Sequence, residues 1–225
     1  MVFTDRHGGV SIGPYASLNL GDRVGDEPRS VAENRRRLAA ALDGAPDDPR
    51  AWVWLHQVHG NRVVAVDRAP GAPPEADGAV TARLDLPLVA CAADCAPLAL
   101  VAEGAIGVVH AGWAGLEAGV VEAGARAVRA AGGAVHGVLG PCARAESYEF
   151  GADLLVRLTN RFGADVAART ADGRPAFDLP EAVRVALDRE GASLDDVAID
   201  TVSSADHFSY RRDGTTGRHA VVVMQ

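Results

Sequence analysis

The sequence predicts a mixed α+β fold, and three observations lead to it. Short runs rich in branched residues cluster in the first half of the chain and return at its end. Segments of helical period lie between them at irregular intervals, and no regular strand–helix–strand unit repeats. The 225 residues are enough to bury a substantial core and are expected to form one domain over 1–225.

The elements follow in order. Residues 8–26 are rich in Gly, Ser, Asn and Asp, which favours a loop with short extended pieces such as 10–12. Ser30 and Glu33 form a capping box. With Val31, Leu38 and Leu42 apolar and Gly44 as a stop, they predict a helix over 31–42. Strands are expected at 51–55, 62–66, 86–91, 98–102 and 105–110, each short, rich in branched residues and bounded by turn residues. The proline-rich stretch 67–76 is expected to be a surface loop. Leu116, Val120, Ala127, Val128 and Ala131 share one helical face, so a single helix is predicted over 114–131, ended by Gly132 and Gly133. Helices follow at 153–162 and 179–190, the second with Asp178 as N-cap and Glu181 three residues on. Strands at 198–202 and 220–224 close the chain.

Composition excludes several classes of partner. A formal net charge of −8 offers no field for gripping nucleic acid or an acidic membrane surface. No apolar run reaches the length of a membrane span, and the first eight residues are polar where a signal peptide would be apolar. The expectation is a cytoplasmic protein with no nucleic-acid or membrane partner. Cys91, Cys95 and Cys142 make an odd number of thiols, which argues against a disulfide framework and leaves thiol chemistry or metal ligation.

Three motifs sit where predicted strands meet turns: Gln57-Val58-His59-Gly60, Ala93-Asp94-Cys95-Ala96-Pro97 and His110-Ala111-Gly112-Trp113. Strand ends let side chains converge above a rigid sheet, and Gly60 and Gly112 permit close approach beside each histidine. The two imidazoles and one thiolate of His59, Cys95 and His110 suit zinc, and three protein ligands leave a fourth position for water or substrate. Their separations of 36 and 15 residues match no zinc-finger spacing. Two other readings therefore stay open: a metal-free Cys95–His110 nucleophile–base pair, and residues that are simply structural. The structural reading is favoured for Cys91, His56 and Cys142. Near the end of the chain, Arg211 and Arg212 offer forked donors suited to an oxyanion such as phosphate; a solvated turn with Arg212 paired to Asp213 is equally open.

Taken together, the motifs resemble the YfiH family, also called the laccase-domain or polyphenol-oxidoreductase family. The matching pieces are GGVSIGPYASLNLGDRVGD (8–26), NRRRLAAAL (34–42), HQVHG (56–60), ADGAVT (76–81), CAADCAPLAL (91–100), GVVHAGWAG (107–115), LGPCARAESYEFG (139–151) and FSYRRDGTTGR (208–218). The resemblance implies a single layered α/β/β/α domain with mixed sheets and a zinc on His59, Cys95 and His110. It implies purine nucleosides and phosphate as partners: phosphorolysis of adenosine, inosine or methylthioadenosine to base and ribose 1-phosphate, and zinc-assisted deamination of adenosine. Members have also been called polyphenol oxidases and peptidoglycan editing factors. Where many members carry a Cys-Thr pair before the FSYRRD piece, this chain has Asp200 to His207 with no cysteine.

Within that expectation, His59, Cys95, His110 and Asp94 form the catalytic set, with Asp94 as proton carrier. Arg211 or Arg212 would orient phosphate, Asn19 and Gln57 would hydrogen-bond sugar or base, and Trp113 would offer a stacking face. A peptidoglycan-precursor hydrolase using Cys95 and His110, or a ligand-binding domain without turnover, are the alternatives. Copper laccase chemistry is disfavoured, since it needs many imidazoles and usually an axial methionine, and this chain has 7 histidines and Met only at Met1 and Met224.

Overall fold

The apolar runs in the middle of the chain become strands covered on both faces, which is why they lack a polar alternation. The computed structural model describes residues 1–225. Its strands are β1 (Val2–Phe3), β2 (Val63–Ala65), β3 (Gly78–Thr81), β4 (Leu88–Ala92), β5 (Ala96–Ala102), β6 (Ala105–Ala111), β7 (His136–Leu139), β8 (Ala167–Arg169), β9 (Pro175–Phe177), β10 (Ser193–Asp196) and β11 (His219–Val223). Its helices are α1 (Pro28–Ala41), α2 (Trp113–Ala118), α3 (Val120–Gly132), α4 (Ala152–Phe162), α5 (Leu179–Arg189) and α6 (Tyr210–Asp213).

A six-stranded sheet has the order β10-β7-β5-β6-β3-β2, parallel at its two outer pairs and antiparallel between. β1, β11 and β4 form a three-stranded antiparallel sheet, and β8 pairs with β9. Successive side chains of a strand point to opposite faces. Leu98, Leu100 and Val109 meet Leu116, Val128, Leu158 and Leu187 of α2 to α5 in one core. Ala99, Ile106 and Val108 face the other way, onto Leu88, Ala90, Val221 and Val223 of the smaller sheet. The outer face of that sheet, through Val89, Ala220 and Val222, packs on Leu38 and Ala39 of α1 and on Trp52 and Trp54. The layers therefore run α1, small sheet, large sheet, α2 to α5: an α+β fold of α/β/β/α type. No helix is long and apolar enough to cross a membrane.

Several elements differ from the sequence expectation. α1 starts at Pro28, where a missing N–H in the first turn costs nothing, so Ser30 lies inside the helix and does not cap it. The helix expected over 114–131 is two helices, because Gly119 takes a left-handed φ of 90° that ends α2 and starts α3. Residues 51–55 form no strand. A short helical turn at Pro49–Ala51 leads to a lone bridge between Val53 and Leu88, and the tryptophans there fill the α1-side core. At 198–202 Ala198 has φ 55° and only a lone bridge between Asp200 and Cys142 remains; the strand is the polar edge β10, whose Leu194 is its one apolar side chain. The extended piece at 10–12 joins no sheet. Asp178 does cap α5, accepting from the Glu181 N–H at 3.0 Å.

At the start of β11, His219 is fully buried, edge-on to His207 at 5.4 Å between ring centres. Burial holds its pKa down at about 3, so the ring is neutral in the fold. A base whose folded pKa is depressed stabilises the protein above its unfolded pKa of about 6.5 and loses that contribution as pH falls toward its folded value. Urea titrations at pH 7 and pH 4.5 should therefore show the wild type losing more stability than His219→Leu, by up to about 1.4 kcal/mol per pH unit below 6.5. Equal acid losses in the two proteins would contradict a buried neutral ring.

Candidate metal centre between two clefts

Strand register brings the distant motifs together. β6 is antiparallel to both neighbours, with Ala96 of β5 opposite Ala111 and Gly78 of β3 opposite Val109. The starts of β5 and β3 therefore flank the end of β6, placing Cys95 and Asp77 on either side of His110. His110 follows Ile106 and Val108 by the two-residue alternation, so its ring points to the layer between the sheets. His59 arrives on the loop after the bridge between His56 and Glu75.

One residue absent from the expected set organises this centre. Asp77 is fully buried, and its carboxylate accepts the backbone N–H groups of Val58 at 3.1 Å, His59 at 2.9 Å and Gly60 at 2.8 Å. Its Oδ1 also lies 2.9 Å from His110 Nδ1. Next to a carboxylate that nitrogen carries the proton, which leaves Nε2 as the free donor atom. The same carboxylate holds His59 at φ 60°, a left-handed conformation unusual for a residue with a Cβ. The signal in the sequence was an acidic residue immediately before the apolar run Gly78–Thr81.

The three proposed donors do converge. One ligand atom each from His59, Cys95 and His110 lie within 4.8 Å of one another. Cys95 Sγ is 3.8 Å from His59 Nε2, and the two imidazoles stand edge to face at 4.8 Å between centres. Tetrahedral zinc holds nitrogen and sulfur donors about 3.3–3.6 Å apart, so small side-chain rotations close this set on a cation. Gly112 makes the approach possible: a Cβ there would stand 2.9 Å from His59 Cδ2 and 3.0 Å from Cys95 Sγ.

Electrostatics separate the thiols. Burial pushes Cys95 up, but the charge and hydrogen bond of His110 and the hydrogen bond of His59 outweigh it and bring the thiol down to about 6. His110 goes the opposite way: burial opposes its charge, and Cys95 and Asp77 raise it to about 9. Burial sends Cys91 up to about 11 and Cys142 up to about 12, in keeping with structural thiols.

The other expected site residues divide. Asp94 spends both carboxylate oxygens on Thr201 Oγ1 at 2.7 Å and the Arg211 N–H at 2.6 Å, so it braces α6 where a proton carrier was expected. Arg212 is also a brace. Its guanidinium donates to the carbonyls of Thr201, Val202, Ser204 and His207 and to Asp213, leaving no donor for phosphate. Asn19 is fully buried and ties Gly21, Asp26 and the Arg218 N–H together. Gln57 locks onto the backbone of Cys91 through both amide atoms. Trp113 and Arg211 do reach open space.

That space is two clefts meeting over the donors, with His59, Ala93, Cys95 and Tyr210 lining both. The first, about 380 Å³, runs toward α1 along the outer face of the small sheet, past Trp54, Arg35 and Arg218. The second, about 470 Å³, runs toward α4 past Trp113, Tyr148, Phe150 and Arg211. Tyr210, 61% exposed, stands between them. Both volumes are in the range of small-molecule sites.

A family model described as multi-copper polyphenol oxidoreductase laccase matches residues 1–225. Two solved structures share the fold over 99% of this chain: YfiH of Bacillus licheniformis, at TM-score 0.89, 28% identity and 91% of that chain, and YlmD of Geobacillus stearothermophilus, at 0.88, 32% and 90%. The chain belongs to the YfiH family. Among its relatives is a purine nucleoside phosphorylase of Streptomyces griseus, 40% identical over 98% of this chain and 92% of the relative. Another, of Deinococcus radiodurans, is 43% identical over 98% of this chain and 87% of the relative and carries the same name. In this YfiH-family chain the possible metal site is the trio His59, Cys95 and His110, with Asp77 behind two of its members.

Two outcomes follow from the YfiH-family centre. Asp77→Asn keeps the side-chain shape but turns an amide toward three N–H donors, so affinity for added Zn²⁺ should fall about 10- to 100-fold by competition with a chromophoric chelator. Unchanged affinity would remove Asp77 from the site. In chelator-treated protein at pH 7, iodoacetamide should modify Cys95 and spare Cys91 and Cys142, with half-maximal rate near pH 6 by mass spectrometry. A midpoint near the ordinary thiol value of 9 would contradict the imidazole pairing.

Proposed function

We propose that the protein is a zinc-dependent purine nucleoside phosphorylase whose zinc is held by His59, Cys95 and His110. The observation that carries this reading is a His-Cys-His trio at the junction of two clefts, in a chain about 40% identical over nearly its whole length to relatives named for that activity. The donors fit the metal in kind and spacing, and a divalent cation there supplies Lewis-acid stabilisation of developing charge. Asp77 keeps the His110 proton on Nδ1, and the α2 start at Trp113 walls the second cleft where an aromatic base would stack. Nucleoside and phosphate are bound side by side over the donors, where proximity and a partly dry site favour reaction. Adenosine deamination is proposed as a second activity of the same centre.

Purified protein incubated with adenosine and inorganic phosphate should release adenine and ribose 1-phosphate, with inosine and hypoxanthine reporting deamination. His110→Ala should lose both bound zinc and at least about 100-fold in turnover, since it deletes a ligand and its buried ion pair. A zinc-free variant with full activity would overturn the assignment. The low pKa of Cys95 beside His110 favours one other reading, a metal-free thiol hydrolase acting on a peptidoglycan precursor. Chelation separates the two: it abolishes phosphorolysis and spares a thiol nucleophile.

A further inference from the structure

The two clefts carry opposite charge. Beyond the shared donors, the first is lined by three guanidinium groups, Arg23, Arg35 and Arg218, against one carboxylate, Asp22. The second has Arg211 against Asp94 and Glu149, with Trp113, Tyr148 and Phe150 as aromatic walls. Arg211 itself is turned onto the Tyr148 ring, 4.8 Å from its centre, and donates to the Glu149 carbonyl at 3.0 Å.

Two arginines of the first cleft are held with donors to spare. Arg218 donates Nη1 to the carbonyls of Thr216 and Gly217 at 3.0 and 2.9 Å, which fixes the fork and leaves Nε and Nη2 without a protein partner. Arg35 lies over the Trp54 ring at 3.8 Å, donates Nε and Nη2 to the Leu20 carbonyl and pairs Nη2 with the Asp22 carboxylate at 3.5 Å, leaving Nη1. Leu20 joins them, because its N–H donates to the Arg218 carbonyl at 3.0 Å while its own carbonyl takes Arg35. Arg23 is exposed at the same cleft and has no hydrogen-bond partner. Orientation by stacking and carbonyls, with free forked N–H groups left over, is what phosphate recognition requires.

We infer that the first cleft is a phosphate subsite, with Arg218 and Arg35 as its fixed donors and Arg23 at its mouth, and that the aromatic second cleft takes the purine. This rests on the phosphorylase reading and moves phosphate away from Arg211 and Arg212. A phosphate dianion enters the cleft of positive charge, and a neutral base enters the aromatic one. The sugar then spans the donors beside Tyr210. An oxygen of hydrogenphosphate bonds to C1′ as the bond from C1′ to the purine nitrogen breaks. The bonding pair goes to the purine, which takes the phosphate's proton.

The test uses the zinc-loaded protein. Arg218→Gln should raise the phosphate KM at least 10-fold and keep the nucleoside KM within about 2-fold, with Arg218→Lys recovering part of the loss. Arg211→Gln should show the reverse. Arg23→Gln, at an exposed position that leaves the fold intact, should raise the phosphate KM about 2- to 3-fold. Calorimetry with inorganic phosphate alone reads the subsite without turnover, and Arg218→Gln should weaken it by the same factor as the KM. If nucleosides are not turned over but phosphate binding still depends on Arg218, the phosphorylase reading fails and the subsite stands. Phosphate dependence that follows Arg211 and ignores Arg218 overturns the inference. So does tight binding of a nucleoside 5′-monophosphate with none of free phosphate.

Discussion

The centre depends on one buried carboxylate. Asp77 accepts three consecutive backbone N–H groups from the His59 loop and orients the His110 ring, so a single side chain sets the conformation of one histidine and the tautomer of the other. It sits where β3 begins, opposite the end of β6, and the backbone also ties the two points, His110 N–H donating to the Asp77 carbonyl at 2.7 Å. Breaking a buried charged pair of this kind costs about 3–5 kcal/mol, because the partner left behind is still desolvated. The carboxylate therefore secures the local fold and the geometry of the possible metal site at once.

Charge explains why the donors sit inside apolar layers. Asp77 and the Cys95 thiolate are two negative groups sharing one imidazolium, in a place where solvent screens little. At this possible metal site a divalent cation in place of the His110 proton would neutralise more charge and would meet three donors. The surrounding strands contribute rigidity, since β5 and β6 are buried on both faces and cannot shift without disturbing two cores. Strain is concentrated at the same point. His59 and Asp94 both take left-handed backbone conformations, at a cost of about 1–3 kcal/mol each, and both are held by hydrogen bonds to buried groups.

Aspartates and arginines near the centre show how local chemistry and position divide the work. Asp94 and Arg212 have the right residue types for proton transfer and phosphate binding, yet their polar atoms are consumed by Thr201, the α6 backbone and loop carbonyls. Together they weld α6 to the Cys95 turn and set Tyr210 between the clefts. Arg35 and Arg218, less conspicuous in the chain, end with free donors facing the first cleft.

Much of the protein was legible in its sequence. The branched-residue runs at β5, β6 and β11, the helical period of α5 with its Asp178 cap, and the Cys95 and His110 motifs at strand ends all depend on local preference and side-chain chemistry. What local pattern cannot carry is pairing. β10 is polar because an edge strand needs backbone partners more than apolar side chains, and the run at 51–55 looks like a strand but lies where only Val53 meets a neighbour. Asp77, the spent donors of Arg212 and the free donors of Arg218 were likewise decided by register and long-range hydrogen bonds. The chain by itself determined which groups are available for chemistry. Only the folded arrangement decided which of them remain unsatisfied, because a hydrogen-bonding group is free or consumed according to neighbours that lie far away in sequence.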